Sequence, residues 1–182
     1  MYVHVCLVSA VLTLLFSSAY RSVLDSVQQI TFEETAPSGC VHGGSTTVDD
    51  WFWKLAIAKL PTLRSIGATL KNGLLDKWAT CKKQFQGGKG VVLPLKECLS
   101  GRSLTSRVEG LDVRNSTWRM TATDVTGTFE HSIASTYATV FDMLHAACPS
   151  GTAFNVLFAG GLSENDYFRA EVSRLQSRAV LC

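Results

Sequence analysis

Two consecutive glycines near the C-terminus, Gly160 and Gly161, are the residues of this chain best suited to contact a ligand. They follow the apolar run 154–159 and precede Ser163, where a helix is predicted to begin. A backbone without Cβ can approach a purine or a ribose closely, and the first N–H groups of a helix can bind polar atoms. The same glycines could serve only to turn a buried strand sharply into a packed helix. Both interpretations remain open on these residues alone.

Other catalytic or metal-binding patterns are weak. The six cysteines stand singly, without a Cys-x-x-Cys pair, so neither a zinc site nor a haem site is expected. His42, His131 and His145 lie outside any nucleophile-elbow or His-Glu-x-x-His context, and we interpret them as ordinary surface or core residues. The adjacent acidic residues Asp49 and Asp50 are interpreted as solvated surface. The sequence therefore predicts no catalytic residue and no metal ligand.

Composition predicts one globular domain. The chain has 182 residues, of which 46% are hydrophobic and 18% charged, enough for a sizeable core. Its formal net charge is +2, with lysines and arginines scattered along the chain, so nucleic acid is not an expected partner. The odd number of cysteines left if the first segment is cleaved favours thiols in a cytoplasmic protein, with partial disulfide pairing as the alternative.

The first 19 residues form a separate apolar segment. The run 5–16 has the length of a signal-peptide core, and Ser17-Ser18-Ala19 resembles a cleavage site, but no Lys or Arg precedes it. The run is too short for a transmembrane helix. Three interpretations of this segment remain open. It is a signal peptide, it is a buried strand or helix of the fold, or it is the product of a start site inside a longer reading frame. If the chain is secreted, Asn115 in Asn115-Ser116-Thr117 is a glycosylation acceptor.

Hydrophobic periodicity predicts strands alternating with helices, which is typical of the α/β class. The predicted strands are an edge or half-buried strand at 26–35, ended by a turn at 36–39, and short strands at 91–95, 116–121 and 154–159, the last buried on both faces. The predicted helices run from about 47 to 60, from 63 to 85, from about 121 to just before 148, and from 163 onward. Thr47 is predicted as the N-cap of the first of these helices, and Asp124 lies near the positive end of its helix.

Four stretches, taken in order, carry a resemblance to a known family: 43–49, beginning Gly43-Gly44; 78–85, containing Lys82-Lys83; 120–130; and 157–165, containing Gly160-Gly161. Together they resemble the second lobe of the nucleotide-binding domain of DnaK-type heat-shock chaperones, the heat-shock protein 70 group, within the actin-like ATPase superfamily. The resemblance covers about 32–175. It implies an incomplete lobe II of the ribonuclease-H-like fold over 20–182, with a helical subdomain inserted at about 61–110.

The resemblance also implies a ligand and a site. ATP or ADP would be bound by Gly160, Gly161 and Ser163, by the basic pair Lys82 and Lys83, and by Gly43 and Gly44. Binding is expected to be weak, because Ala79 stands where the family has a glutamate that hydrogen-bonds the ribose, and alanine cannot accept that bond.

The family's phosphate-gripping motifs, Asp-x-Gly-x-Thr and Asp-x-Gly-Gly-Gly-Thr, do not occur in this sequence. Phosphoryl transfer depends on positioning and charge stabilisation, so the chain is expected not to hydrolyse ATP alone. To hydrolyse ATP, the chain would need the missing first lobe or a partner protein. A truncated or mis-started product would lack the first lobe in this way. We therefore predict a partial, cytoplasmic ATP-binding lobe. The alternative is a secreted, non-enzymatic interaction protein with a cleaved signal peptide.

Overall fold

The described chain contains both strands and helices, with three strands in succession at its start. The structure is a computed structural model that describes residues 3–11, 14–24, 30–99, 109–147 and 154–179. In order, these ranges form β1 (Val3–Val11), β2 (Leu14–Leu24), β3 (Ile30–His42), α1 (Ser45–Lys59), a 3-10 turn (Pro61–Ser65), α2 (Ala68–Gln84), β4 (Val91–Pro94), α3 (Lys96–Leu99), β5 (Leu111–Asp112), β6 (Thr117–Met120), α4 (Ala122–Ala147), β7 (Phe154–Ala159), a second 3-10 turn (Gly161–Glu164) and α5 (Asp166–Ala179). The predicted α/β class is confirmed.

The chain divides into two compact units. The first falls within 1–47, 132–164 and 168–182, and the second within 48–131 and 165–167. Within the described residues, no helix combines the length and the apolar character needed to cross a membrane.

The larger sheet belongs to the first unit and contains residues 3–11 and 14–19 of the N-terminal apolar segment. Its strand order is β3-β2-β1-β7. The strands β1, β2 and β3 form an antiparallel meander, and β7 runs parallel to β1. The strand β1 is therefore paired on both sides: Leu7 lies opposite Ser18 of β2 and opposite Leu157 of β7. An apolar run suits such a central position.

The predicted turn at 36–39 is wrong, because β3 continues through it to His42. The pairing of β2 with β3 shifts register twice, between Ser17 and Ala19 and between Ala19 and Tyr20, as β-bulges do. Pro37 lies in this irregular stretch, and a residue without an N–H is tolerated at a bulge or on an end strand. Since β3 is the last strand on its side of the described sheet, its predicted edge position is confirmed. The predicted first residues of this strand, 26–29, lie outside the described residues.

The strand predicted at 154–159 is confirmed as β7, but its predicted burial on both faces is wrong at Leu157. That side chain is 53% exposed. The physical reason is position: β7 is the end strand of the described sheet, where a face is covered less completely than at the centre.

The second unit is built on a smaller antiparallel sheet with the order β4-β6-β5, in which Leu93 lies opposite Trp118. The predicted strands at 91–95 and 116–121 are thereby confirmed to within a residue. The helix predicted over 63–85 is interrupted: a 3-10 turn ends at Ser65, and α2 begins only at Ala68. Gly67, in extended conformation at the N-cap of α2, separates the two.

The core of the second unit lies between α1, α2 and the smaller sheet. Phe52 of α1 stacks on Trp78 of α2, with ring centroids 4.4 Å apart and planes only 5° from parallel. Both side chains are fully buried, as are Leu74, Leu93 and Trp118. Burial of side chains of this size stabilises the unit by roughly 2 kcal/mol each.

Candidate functional site

The turn formed by residues 160–164, called the Gly160 turn below, follows β7 directly. Gly160 has φ +93°, in the left-handed region that favours glycine. Its carbonyl accepts two hydrogen bonds from Ser163, from the backbone N–H at 3.0 Å and from the hydroxyl at 2.5 Å. The predicted helix start at Ser163 is corrected by the structure. Ser163 lies in a 3-10 turn whose first residue is Gly161, and α5 begins three residues later at Asp166.

Gly161 has a different environment from Gly160. It is exposed, and within the described part of the chain its φ is not positive. A Cβ built on Gly161 meets no atom within 4 Å. The described protein therefore gives no conformational or packing reason for glycine at this position. Open space beside an exposed backbone is what a close ligand contact needs.

The turn lies at the carboxyl end of a parallel strand pair. Ser9 of β1 is opposite Ala159 of β7, so the turn begins immediately beyond the last paired residue of β7. Ligands of open α/β sheets bind beyond the carboxyl ends of parallel strands.

Gly43 and Gly44 lie between the end of β3 and the start of α1, also in the first unit. Both are buried. The carbonyl of Gly44 accepts the N–H of Thr47 at 3.0 Å, in the first turn of the helix. The predicted glycine loop leading into a helix is confirmed, and the helix start expected by about Thr47 is found at Ser45. Thr47 therefore lies inside α1 and is not its N-cap.

Lys82 and Lys83 lie together in the last turn of α2, in the second unit. Lys82 is 8% exposed, and its Nζ lies 2.6 Å from Oδ1 of Asp49 on α1. Lys83 is exposed. The interpretation of Asp49 as solvated surface is therefore wrong, since this carboxylate is half-buried and ion-paired. Positive side chains in the last turn also suit the negative end of the helix dipole.

Asn165 caps the same end of α2, a role that the sequence analysis did not predict. This residue is 2% exposed. Its side-chain amide donates to the carbonyls of Lys82, at 2.7 Å, and Phe85, at 3.2 Å. Asparagine directly before a helix is a recognisable capping signal, but the signal points to α5 and does not reveal the contact with α2.

Aromatic packing holds Tyr167 against the end of α2. Its ring meets those of Phe85 and Phe129 edge-on, at centroid distances of 4.9 and 5.5 Å. Gly87, with φ +85°, lies against the same ring, and a Cβ there would be 3.0 Å from Cδ2 of Tyr167. Residues 165–167 are thus anchored to the second unit by one amide side chain and one aromatic ring.

The structure therefore brings the predicted site residues together in three places. Gly160 is hydrogen-bonded to Ser163, Gly43 and Gly44 are adjacent at the start of α1, and Lys82 and Lys83 share a helical turn. Binding of nucleotide by these residues stays a prediction. Among the described residues, no group of three His, Cys, Asp or Glu side chains is placed to hold a metal ion.

Asn115 lies in the tight turn that joins β5 to β6, and it is exposed. Its backbone N–H donates to Oδ1 of Asp112 at 3.1 Å, and its side-chain amide donates to Oδ2 at 2.7 Å. These two bonds hold the pKa of Asp112 below its usual value. Exposure in a turn is compatible with glycosylation of Asn115, which stays a prediction.

The sequence matches no protein-family model, and comparison with curated proteins gives no match.

Proposed function

We propose that this chain is a nucleotide-contacting lobe of a heat-shock-chaperone-like ATPase, which binds ATP or ADP weakly and does not hydrolyse ATP alone. The observation that carries the proposal is the Gly160 turn. It lies beyond the carboxyl end of β7, and Gly161 presents an exposed backbone with open space where its side chain would be. The local geometry suits an adenosine that passes close to the main chain.

The topology of the first unit supports the actin-like part of the proposal. An antiparallel meander of three strands is followed, after a stretch that contains helices and the smaller sheet, by a strand that pairs in parallel with the first strand of the meander. This arrangement agrees with the ribonuclease-H-like fold that the resemblance implies. The strand order is therefore support independent of the four sequence stretches.

The chemistry of this lobe would be binding without phosphoryl transfer. The residues that the resemblance assigns to nucleotide are glycines, a serine and lysines, which can contact a base, a ribose or a phosphate. Neither phosphate-gripping motif of the family occurs in the sequence. Because positioning and charge stabilisation supply nearly all of this catalysis, hydrolysis would require a first lobe or a partner protein.

Calorimetric titration of the full chain with ADP, ATP and adenosine tests the proposal. We expect binding in the high micromolar to millimolar range. Gly161→Ala should weaken ADP binding about tenfold or more, because the new Cβ fills the space a ligand would use and meets no protein atom. The matched control is Gly127→Ala in α4, where a Cβ also meets no atom within 4 Å. It should leave binding unchanged.

Two results would overturn the proposal. The first is an absence of binding by the wild type at millimolar ADP. The second is equal affinity of Gly161→Ala and wild type, which would place any nucleotide elsewhere.

A cytoplasmic location belongs to the same proposal, and among the described residues Cys40, Cys81 and Cys98 take part in no disulfide. The exposed turn around Asn115 favours the alternative, a secreted interaction protein with a cleaved signal peptide. Mass spectrometry of the protein from its native cells separates the two. A mature chain that begins at Tyr20 and carries a glycan on Asn115 supports secretion, whereas an intact Met1 supports the cytoplasm.

A further inference from the structure

A cavity of about 590 Å³ lies on the smaller sheet, entirely within the second unit. Its volume is in the range of small-molecule sites, roughly 300–1,000 Å³. The residues that line it include Lys89, Gly90, Val92, Glu109, Gly110 and Arg119. None of them is among the residues proposed above to bind nucleotide, so the cavity is a separate feature of the molecule.

The alternation of side chains along β6 determines which face of the sheet carries the cavity. Trp118 and Met120 are fully buried, so Arg119 between them points away from the core. Val92 of β4 lies directly opposite Arg119 and is 49% exposed. Directly opposite residues share a face of the sheet and are within reach of each other. An aliphatic side chain and a guanidinium group are therefore neighbours on the solvent-facing side.

Two glycines, one on each side of β6, leave space next to Arg119. A Cβ on Gly90 would overlap the carbonyl oxygen of Met120, and a Cβ on Gly110 would overlap the carbonyl oxygen of Arg119. Gly110 also has φ +77°, in the left-handed region that favours glycine. Close approach to β6 thus excludes a side chain at both positions, and neither position can fill the cavity.

Three charged groups line the cavity without neutralising one another. Lys89, Glu109 and Arg119 are exposed, and among the described residues none of the three forms an ion pair. Two cations and one carboxylate leave one net positive charge. A ligand carboxylate complements this charge better than a phosphate monoester, which carries about −1.5 to −2 at pH 7 and would be repelled more strongly by Glu109.

We propose that this cavity binds a small carboxylate ligand that carries an aliphatic group. The planar guanidinium of Arg119 can donate two parallel hydrogen bonds to a carboxylate. Lys89 adds a second positive charge, and the exposed Val92 side chain contacts the aliphatic part. A free short-chain acid and the C-terminus of a peptide present this same chemistry. The inference does not depend on nucleotide binding.

NMR titration of the isotope-labelled full chain with butyrate, N-acetylvaline and inorganic phosphate tests the proposal. Butyrate represents a free acid, and N-acetylvaline represents the end of a peptide. We expect the tighter of these two carboxylates to bind more strongly than phosphate. The largest changes in amide chemical shift should occur at Gly90, Gly110 and Arg119. The carboxylate that binds more tightly identifies the source of the ligand.

Two variants remove the proposed contacts. Arg119→Gln should weaken carboxylate binding about tenfold, because a neutral amide replaces the charged fork. Its matched control is Arg114→Gln, at an exposed position in the turn between β5 and β6 and outside the cavity. Val92→Glu places a negative charge opposite Arg119 and should also weaken binding about tenfold. Its control is Val113→Glu, at a position that is 59% exposed and outside the cavity.

Both controls should bind within about twofold of the wild type. The proposal is overturned if neither carboxylate shifts the amides of the cavity, or if phosphate binds as tightly as both carboxylates. Wild-type affinity of both Arg119→Gln and Val92→Glu would also overturn it. A chain that binds carboxylate as expected but does not bind ADP would reject the proposed function and support this inference.

Discussion

Lys82 lies at the end of the buried stripe of α2, after Leu74 and Trp78. A lysine can occupy such a position because its stem packs in the core while its ammonium group finds a partner. That partner is Asp49, with side-chain exposures of 10% for Lys82 and 25% for Asp49. Water screens this pair only in part, so each charge depends on the other more than in a surface ion pair.

Lys82→Met should therefore leave the half-buried carboxylate of Asp49 without its cation. We expect the free energy of unfolding to fall by about 2 kcal/mol, between the effects of exposed and fully buried pairs. The double variant Lys82→Met, Asp49→Leu should recover most of this loss, because both charges are removed together. Urea denaturation at pH 7 measures all three proteins.

The control for this prediction is Lys83→Met, the exposed neighbour on the same turn. Its effect on stability should stay within about 0.5 kcal/mol. An equally small effect of Lys82→Met would mean that the ion pair contributes nothing to stability and that the Lys82 stem alone matters.

At the scale of one element, the start of α4 depends on a reciprocal cap. The N–H of Thr121 donates to Oδ2 of Asp124 at 3.0 Å, and the N–H of Asp124 donates to the Thr121 hydroxyl at 3.1 Å. Lys59 of α1 adds an ion pair at 2.7 Å. Partial burial raises the pKa of Asp124, but the hydrogen bonds from Lys59 and Thr121 together outweigh it, so the pKa lies below its ordinary value of 3.8.

Asp124→Asn should destabilise the protein by about 1 kcal/mol at pH 7, since it removes the charge that the helix start and Lys59 stabilise. A depressed pKa in the folded state means that this stabilisation is fully present above the unfolded pKa, near 3.8, and is lost as the pH falls through the lower folded pKa. Wild type and variant should therefore converge in stability once the pH lies below the lowered folded pKa of Asp124.

Urea denaturation across this pH range tests the prediction. Asp142→Asn, at an exposed position of the same helix, is the control and should have little effect at any pH. A difference between wild type and Asp124→Asn that persists at the lowest pH would show that packing, and not charge, is responsible.

Local sequence patterns predicted most elements but not their tertiary contacts. The apolar run before Gly160 and the capping residues of α4 were sufficient to locate β7 and the start of α4. The stretch around Pro37 was misleading, because the residues that favour turns also occur at bulges in end strands.

The candidate site divides in the same way. Gly160 and Gly161 were identified from the sequence, because they follow an apolar run and precede a predicted helix. Lys82 and Asp49 are 33 positions apart in the sequence, and Asn165 and Lys82 are 83 positions apart. No local periodicity encodes contacts between residues so far apart. Which side chain caps a helix from a distant segment is decided by tertiary packing.

At the scale of the whole molecule, the N-terminal segment links the fold to the question of location. The strand β1 lies between β2 and β7, and a signal-type cleavage after Ala19 would fall inside β2. Cleavage would therefore remove β1, which is the parallel partner of β7. It would also remove about half of β2, which is the antiparallel partner of β3. The second unit, which falls within 48–131 and 165–167, includes none of these residues.

A chain that begins at Tyr20 should consequently lose the order of one unit and keep that of the other. Backbone amides of Phe154–Ala159 should exchange at nearly unprotected rates, because β7 pairs with β1 among the described strands. Amides of α2 should keep most of their protection. Leu7→Pro, which removes one N–H from the middle of β1 at full length, should produce the same pattern more weakly. Hydrogen exchange with mass spectrometry compares all three proteins. Retained protection of Phe154–Ala159 in the shortened chain would contradict the sheet order and favour a cleavable leader.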